Sequence, residues 1–205
     1  RALKKMKIIT CHLGNGASIC AVKYGQVVDN SMGFTPLEGL VMGTRCGDVD
    51  PGALEFLAKK ENLDFAQVLD ILNQESGVLG ISRNFSSDFR ELKDAEIKYN
   101  DQAALAREIF AYRVAKYVGS YAAAMNGVDN IVFTAGVGEN DSDIRMEICS
   151  YLEYLGITID EVKNRDEAEA FRISDGMSRV NVLVIKTNEE LEIAREAAEV
   201  ARMYH

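Results

Sequence analysis

The chain has 205 residues, 47% of them hydrophobic and 27% charged, with a formal net charge of −9 at neutral pH. That is room for one large domain or two small ones with a real core, in the composition of an ordinary soluble globular protein. The acidic balance argues against nucleic acid as a partner, which needs a basic face, and no apolar run approaches the roughly 18 residues of a membrane span.

No signal-peptide pattern is visible behind Arg1-Ala2-Leu3-Lys4-Lys5-Met6, and the absence of an initiating methionine reads as processing or a fragment. Cys11, Cys20, Cys46 and Cys149 show neither a C-x-x-C pair nor zinc spacing with His12 and His205. They read as free thiols of a reducing, cytoplasmic compartment. A small anion is not excluded by the net charge, because it answers to a local site.

In chain order, Lys7–Cys11 is a β-favouring run closed by the turn Gly14-Asn15-Gly16, Ala17–Lys23 is a second strand, and Gln26–Asp29 a third after Tyr24-Gly25. The tight turns predict antiparallel pairing. A glycine-rich connection, Ser31–Gly52, is too long to be idle in a compact domain. Helical periodicity begins at Ala53, with Leu54, Phe56 and Leu57, then Phe65, Val68, Leu69 and Leu72 marking two short helices and Asn62 a candidate cap. Gly77–Asp88 reads as irregular, and Asp101–Met125 as a long helix stopped by Asn126-Gly127. Ile131–Thr134 is a buried strand, then come a third glycine turn and a helix through Leu155. Val180–Ile185 is a last strand and Asn188–Met203 a last helix. With no repeat and no low-complexity linker, one α/β domain over residues 1–205 is the economical reading. Three antiparallel strands followed by β–α units resemble the ribonuclease H-like half of the actin, sugar-kinase and Hsp70 (ASKHA) superfamily.

Three glycine turns carry the chemistry: His12-Leu13-Gly14-Asn15-Gly16, Gly43-Thr44-Arg45-Cys46-Gly47-Asp48 and Gly136-Val137-Gly138-Glu139-Asn140. Glycines let backbone N–H groups crowd around an anion, and Arg45 brings a fixed cation with a planar fork of donors. The first turn is also readable as a plain hairpin, with His12 placed to reach the same anion. Glu139-Asn140 is also readable as a helix cap with a dipole-complementing acid. Arg45 has Asp48 and Asp50 as candidate loop-stapling partners, against a role at a transferring phosphoryl group. The third turn lacks the third small residue of a dinucleotide fingerprint, since position 141 is Asp141, and no G-x-x-x-x-G-K-[ST] stretch occurs.

Together with Ser31-Met32-Gly33-Phe34-Thr35-Pro36-Leu37-Glu38-Gly39-Leu40 and Thr187-Asn188-Glu189-Glu190-Leu191, these stretches resemble the acetate kinase (acetokinase) family, in its order and over nearly the whole chain. The resemblance implies a carboxy-terminal half of a two-domain kinase that transfers a phosphoryl group in line between ATP and acetate, giving ADP and acetyl phosphate. It implies Arg45 and His12 as catalytic residues, Arg45 stabilising the transition state, and phosphate binding by His12, Leu13, Gly14, Asn15 and Gly16. It further implies nucleotide contacts from Gly136, Val137, Gly138, Glu139 and Asn140, adenosine contacts from Asp88, Phe89 and Arg90, and an acid, Glu189, for Mg²⁺ or in its place Mn²⁺. Glu189 is also readable as a favourable first-turn acid without a metal. Cys46 stands where the family usually has serine, and Arg83-Asn84 interrupts a segment that is usually small.

The amino-terminal half, with the catalytic aspartate, a second arginine, further histidines and much of the acetate pocket, is implied to lie outside the chain. Propionate or butyrate kinase, or an inactive nucleotide-binding or dimerisation module, remain the alternatives. A homodimer through this half is expected, with Tyr112, Tyr117, Tyr121 and Ala122–Met125 on the long helix as its apolar surface.

Overall fold

The computed structural model describes residues 2–165 and 170–203, with positions 170, 189 and 190 described by their backbone alone. Strands β1 (Lys7–Leu13), β2 (Ala17–Lys23) and β3 (Gln26–Asn30) form the expected antiparallel meander. Side chains alternate across a strand, so Ile9, Cys11 and Leu13 of β1 and Ala17, Ile19 and Ala21 of β2 all drop into the core. β1 also pairs in parallel with β4 (Asn130–Thr134), β4 pairs in parallel with β6 (Asn181–Ile185), and β5 (Ala170–Arg172) closes the far edge antiparallel to β6. The sheet order is β3-β2-β1-β4-β6-β5. β1 runs two residues further than its β-favouring run, to Leu13, because His12 finds ladder partners on both sides, Ser18 and Thr134.

Helix α1 (Pro51–Glu61) starts on an Asp50 cap with proline in its first turn, and Asn62 closes it in a left-handed conformation. Asn62 is therefore a C-cap; the capping box of α2 (Phe65–Gln74) is made by Asp64 and Gln67. The segment expected to be irregular contains a short helix, α3 (Gly77–Ile81), too brief to print a periodicity. A further helix, α4 (Phe89–Ile97), has no counterpart among the expectations. Its buried positions Phe89, Leu92 and Ala95 are diluted by charged neighbours.

α5 (Asp101–Met125) has the bounds its periodicity predicts, capped by Asn100 and ended by Asn126 and Gly127 at positive φ. It packs on β1 and β2 and carries α3, α4 and α7 (Ser142–Ser150). That packing consumes much of the surface expected for a dimer: Tyr121, Ala122 and Met125 are buried in the chain's own core, leaving Tyr112, Ala123 and Ala124 exposed.

The third glycine turn is also a helix, α6 (Ala135–Asn140), and the helix after it stops at Ser150, with a separate 3-10 turn at Glu153–Leu155. α8 (Glu161–Asn164) is a single turn, and α9 (Glu189–Met203) is exposed along its described length. Among the described residues no helix is long and apolar enough to cross a membrane. The four cysteines are free thiols, as expected, and burial pushes the Cys149 thiol up to about 12.

Candidate functional site

β1 and β4 are parallel neighbours, so the turns that follow them emerge side by side at their carboxyl ends. A Cβ at Gly14 would lie only 3.8 Å from the Ala135 Cβ, so the first turn sits beside the start of the third. The Arg45 loop docks on the same place. The Gly43 N–H donates to the Asn15 carbonyl at 2.9 Å, and a Cβ at Gly43 would collide with Asn15 Oδ1 at 1.7 Å. A side chain at position 43 would have to push the Asn15 amide out of this place. From the other side, Ser76, Val78 and Leu79 donate their N–H groups to the carbonyls of Thr44, Met42 and Gly43 at 2.8–3.0 Å. Gly77, at φ +62, makes this possible, since a Cβ there would lie 2.2 Å from the Met42 carbonyl oxygen.

Arg45 lies over the first turn, with Nη1 3.6 Å from where a Gly16 Cβ would be and 3.7 Å from the Met42 sulfur. Neither Asp48 nor Asp50 staples it. Asp48 bonds Arg113 and Tyr117 of α5, and Asp50 accepts from the Gly52 N–H as the α1 cap. Among the described residues no carboxylate stands within ion-pair distance of its guanidinium.

A cleft of about 780 Å³ opens beside these turns. Of the residues expected at a nucleotide, Gly14, Asn15, Asp88, Phe89, Arg90, Gly136, Val137 and Asn140 line it. Asp88 caps α4 and forks with Arg90 at 2.6 and 3.1 Å; these hydrogen bonds hold its carboxyl down at about 2. Phe89 borders the cleft but is 5% exposed, its ring packed on Phe110 at 4.5 Å, so most of it is core.

Other expected residues serve from behind or beside the cleft. Leu13 and Gly138 are buried, and His12 is half-buried within the β1 ladder. Glu139 turns inward: its Oε1 accepts from the N–H of Ala135 at 2.7 Å and from the N–H and hydroxyl of Thr187 at 2.9 and 3.0 Å. It thereby steadies Ala135, which sits at φ +64, a strained angle for any residue with a Cβ. It also ties the chain entering α9 to the third turn. Glu189 opens α9, but its side chain lies outside the described residues, as does His205.

Sequence reasoning missed Ser87, Lys93, Asp94 and Asp141, which also line the cleft. Lys93 comes from the unforeseen α4 and contacts Asp141 at 3.2 Å and Asp143 at 2.7 Å. Asp141 caps α7 and takes a 2.6 Å bond from the buried Arg107, which Glu96 holds from its other side at 2.5 Å. The signal for Asp141 is a capping acid ahead of a helical run, masked in the sequence by Glu139-Asn140, which offer an earlier cap.

Burial alone would raise the Asp141 carboxyl, but the bonds and charge of Arg107 and then the charge of Lys93 outweigh it and hold the group below its ordinary value. A carboxylate lowered in the fold adds stability that is fully present above the unfolded value, near 4, and is lost as pH falls through the lower folded value. Asp141→Asn is therefore expected to cost roughly 3 kcal/mol at neutral pH by leaving Arg107 under-paired. It is also expected to flatten the acid limb of the stability profile. Urea denaturation at pH 7 and pH 3 checks both: an equal loss at the two pH values would contradict the pairing.

A meander that passes into parallel β–α units, with its cleft at the carboxyl ends of β1 and β4, is the α/β architecture of the ASKHA superfamily expected from the sequence. The Acetokinase family pattern matches residues 1–195. The acetate kinase of Thermotoga maritima is 56% identical over 202 residues, which are 98% of this chain and 50% of that protein. The crystal structure of Porphyromonas gingivalis acetate kinase superposes with a TM-score of 0.90 at 48% identity, covering 97% of this chain and 50% of that one. A propionate kinase structure from Francisella tularensis gives a TM-score of 0.86 at 45% identity, over 92% and 48% of the two chains. The chain belongs to the acetokinase family, and it spans about half the length of the curated relatives it matches.

Proposed function

We propose that this chain is the carboxy-terminal, nucleotide-binding domain of a cytosolic acetate kinase. The proposed reaction is reversible transfer of the ATP γ-phosphoryl group to acetate. A carboxylate oxygen attacks the γ-phosphorus in line with the bridging oxygen of the leaving ADP, giving acetyl phosphate. The observation that carries the reading is that the first and third glycine turns line one cleft while the Arg45 loop docks on the first, with no carboxylate among the described residues in ion-pair reach of Arg45.

In this reading the N–H groups of Asn15 and Gly16, with His12, receive the phosphates, while the Gly14 N–H closes the turn on the Gly16 carbonyl at 3.1 Å. Gly136–Asn140 and the Asp88–Arg90 segment hold the nucleoside. The Arg45 fork takes two equatorial oxygens of the transferring group, positioning it and neutralising charge that spreads over them. Among the described residues no three His, Cys, Asp or Glu side chains stand together as a metal cage. A magnesium ion carried by a nucleotide fits such a donor set, because it binds through phosphate oxygens, waters and one or two carboxylates, and its chemistry here is charge neutralisation. Glu189 is the acid proposed for it. Propionate or butyrate as acceptor is the second reading, favoured by the likeness to the propionate kinase structure.

The acyl side is assigned to the half absent from this chain. The 205 residues alone are therefore expected to bind ATP in equilibrium dialysis but to form negligible acetyl phosphate in a hydroxamate assay. Joining them to the amino-terminal half of the Thermotoga maritima relative should restore turnover. Full activity of the isolated chain, or no ATP binding, would overturn the assignment. A homodimer through this domain is part of the same proposal, and sedimentation equilibrium on the same sample reads it: a mass of 22.6 kDa at all concentrations counts against it.

A further inference from the structure

Arg45 and Asp48 lie three residues apart on a loop that closes on itself. The Gly39 N–H donates to Asp48 Oδ1 at 2.9 Å, and the Asp48 N–H donates to the Gly39 carbonyl at 3.0 Å. The nearest acid in sequence to Arg45 is thus fixed by its own loop through one oxygen. α5 takes the other oxygen. Arg113 Nη2 donates to Asp48 Oδ2 at 2.6 Å and the Tyr117 hydroxyl donates to the same atom at 2.7 Å. Residues 113 and 117 are one helical turn apart on a single face of α5. Two arginines serve this loop, and among the described residues only one of them has a carboxylate partner.

Arg113 is not placed for its own comfort. Its Nε is buried with no hydrogen-bond partner among the described residues, a desolvated donor that the charged bond to Asp48 has to offset. A guanidinium already paired with Asp48 would have to break that pair before it could fork to a phosphoryl group. Arg45 has no such pair to break.

We propose that Arg113 and Tyr117 are positioning residues for Arg45. They hold the Asp48 carboxylate on α5 and so keep the Arg45 guanidinium free of an internal counter-ion, open to an anionic ligand. The proposal rests on the reading of Arg45 as the phosphoryl-binding cation, but the division of charge can be tested without turnover.

The 205-residue chain is treated with phenylglyoxal, which condenses with accessible guanidinium groups, and modification is followed at each arginine by peptide mass spectrometry. In the unmodified sequence Arg45 should react faster than Arg113. In Arg113→Met the released Asp48 turns to Arg45, and modification of Arg45 should slow about threefold to fivefold, the occupancy expected of a partly exposed ion pair. The double variant Arg113→Met/Asp48→Asn should return it to the original rate, and Arg113→Lys, which keeps the charge, should leave it there. Tyr117→Phe removes a single oxygen and should slow Arg45 about twofold, which keeps the test open if the methionine variant does not fold. A mere loosening of the loop would speed Arg45 modification instead. Faster modification, or an unchanged rate in both Arg113→Met and Tyr117→Phe, would overturn the proposal. The kcat of Arg45→Ala after an amino-terminal half has been joined to the chain reads the other question separately: a normal kcat would overturn the phosphoryl-binding reading and not the division of charge.

Discussion

Arg45→Ala, made in the chain after an amino-terminal half has been joined to it, is expected to lower kcat by about 10³-fold while leaving the KM for ATP little changed. The reason is geometric. Arg45 lies over Gly16 of the first turn and outside the lining of the cleft, so its proposed partner is the phosphoryl group in flight rather than the bound nucleotide. An interaction made mainly in the transition state shows in kcat. Arg45→Lys should be nearly as poor, because a point charge cannot reproduce a two-pronged donor. A normal kcat with weakened ATP binding would place Arg45 in ground-state nucleotide binding. A normal kcat with a lowered melting temperature would make it a structural residue of the loop, although no carboxylate among the described residues stands in reach to staple it.

The strands and the long helix were legible because their signals are local. Ile9, Cys11 and Leu13 alternate as a half-buried strand must, and α5 carries caps at both ends. The glycine stretches were legible as points of close backbone approach from residue type alone, and eight of the residues expected at a nucleotide line one cleft. What escaped reading was whatever depends on distant partners. α4 looks polar in sequence, and only its packing against α5 picks out Phe89, Leu92 and Ala95. Gly136–Asn140 looked like a turn because glycine disfavours helix interiors. The fold overrides that preference by capping both ends, the start through Glu139 of the segment itself and the end through Arg145 of α7. Tyr121 and Met125 looked like surplus apolar surface because a sequence cannot say how many neighbours a helix has.

Arg145 is the clearest such case, and its loss should have the largest effect on stability. It is an arginine on α7 with 2% exposure, among the largest fully enclosed side chains of the chain, and no carboxylate stands within ion-pair distance of it among the described residues. Its partners are carbonyls. Nη1 donates to Gly138 and Glu139 at 3.0 and 2.8 Å, Nε to Asn164 Oδ1 at 2.8 Å, and Nη2 to the Asn164 carbonyl. The first two belong to the last turn of α6, where helix carbonyls lack internal partners and a cation is favourable. Burial lowers the pKa of the guanidinium without discharging it, since an arginine starts far above neutrality. Arg145→Met keeps much of the volume but leaves four buried acceptors without donors. At about 1–3 kcal/mol for each buried group left unmade, relaxed in part by local movement, a loss of more than 3 kcal/mol is expected. Because α6 borders the cleft through Gly136, Val137 and Asn140, ATP affinity should fall in any fraction that still folds. Arg145→Lys, able to reach one or two of the four acceptors, should lie between. Urea denaturation and equilibrium dialysis with ATP give the two readouts. A methionine variant within about 0.5 kcal/mol of the original, the range of ordinary surface changes, would mean that water takes over these acceptors and that the third turn is held by Glu139 alone.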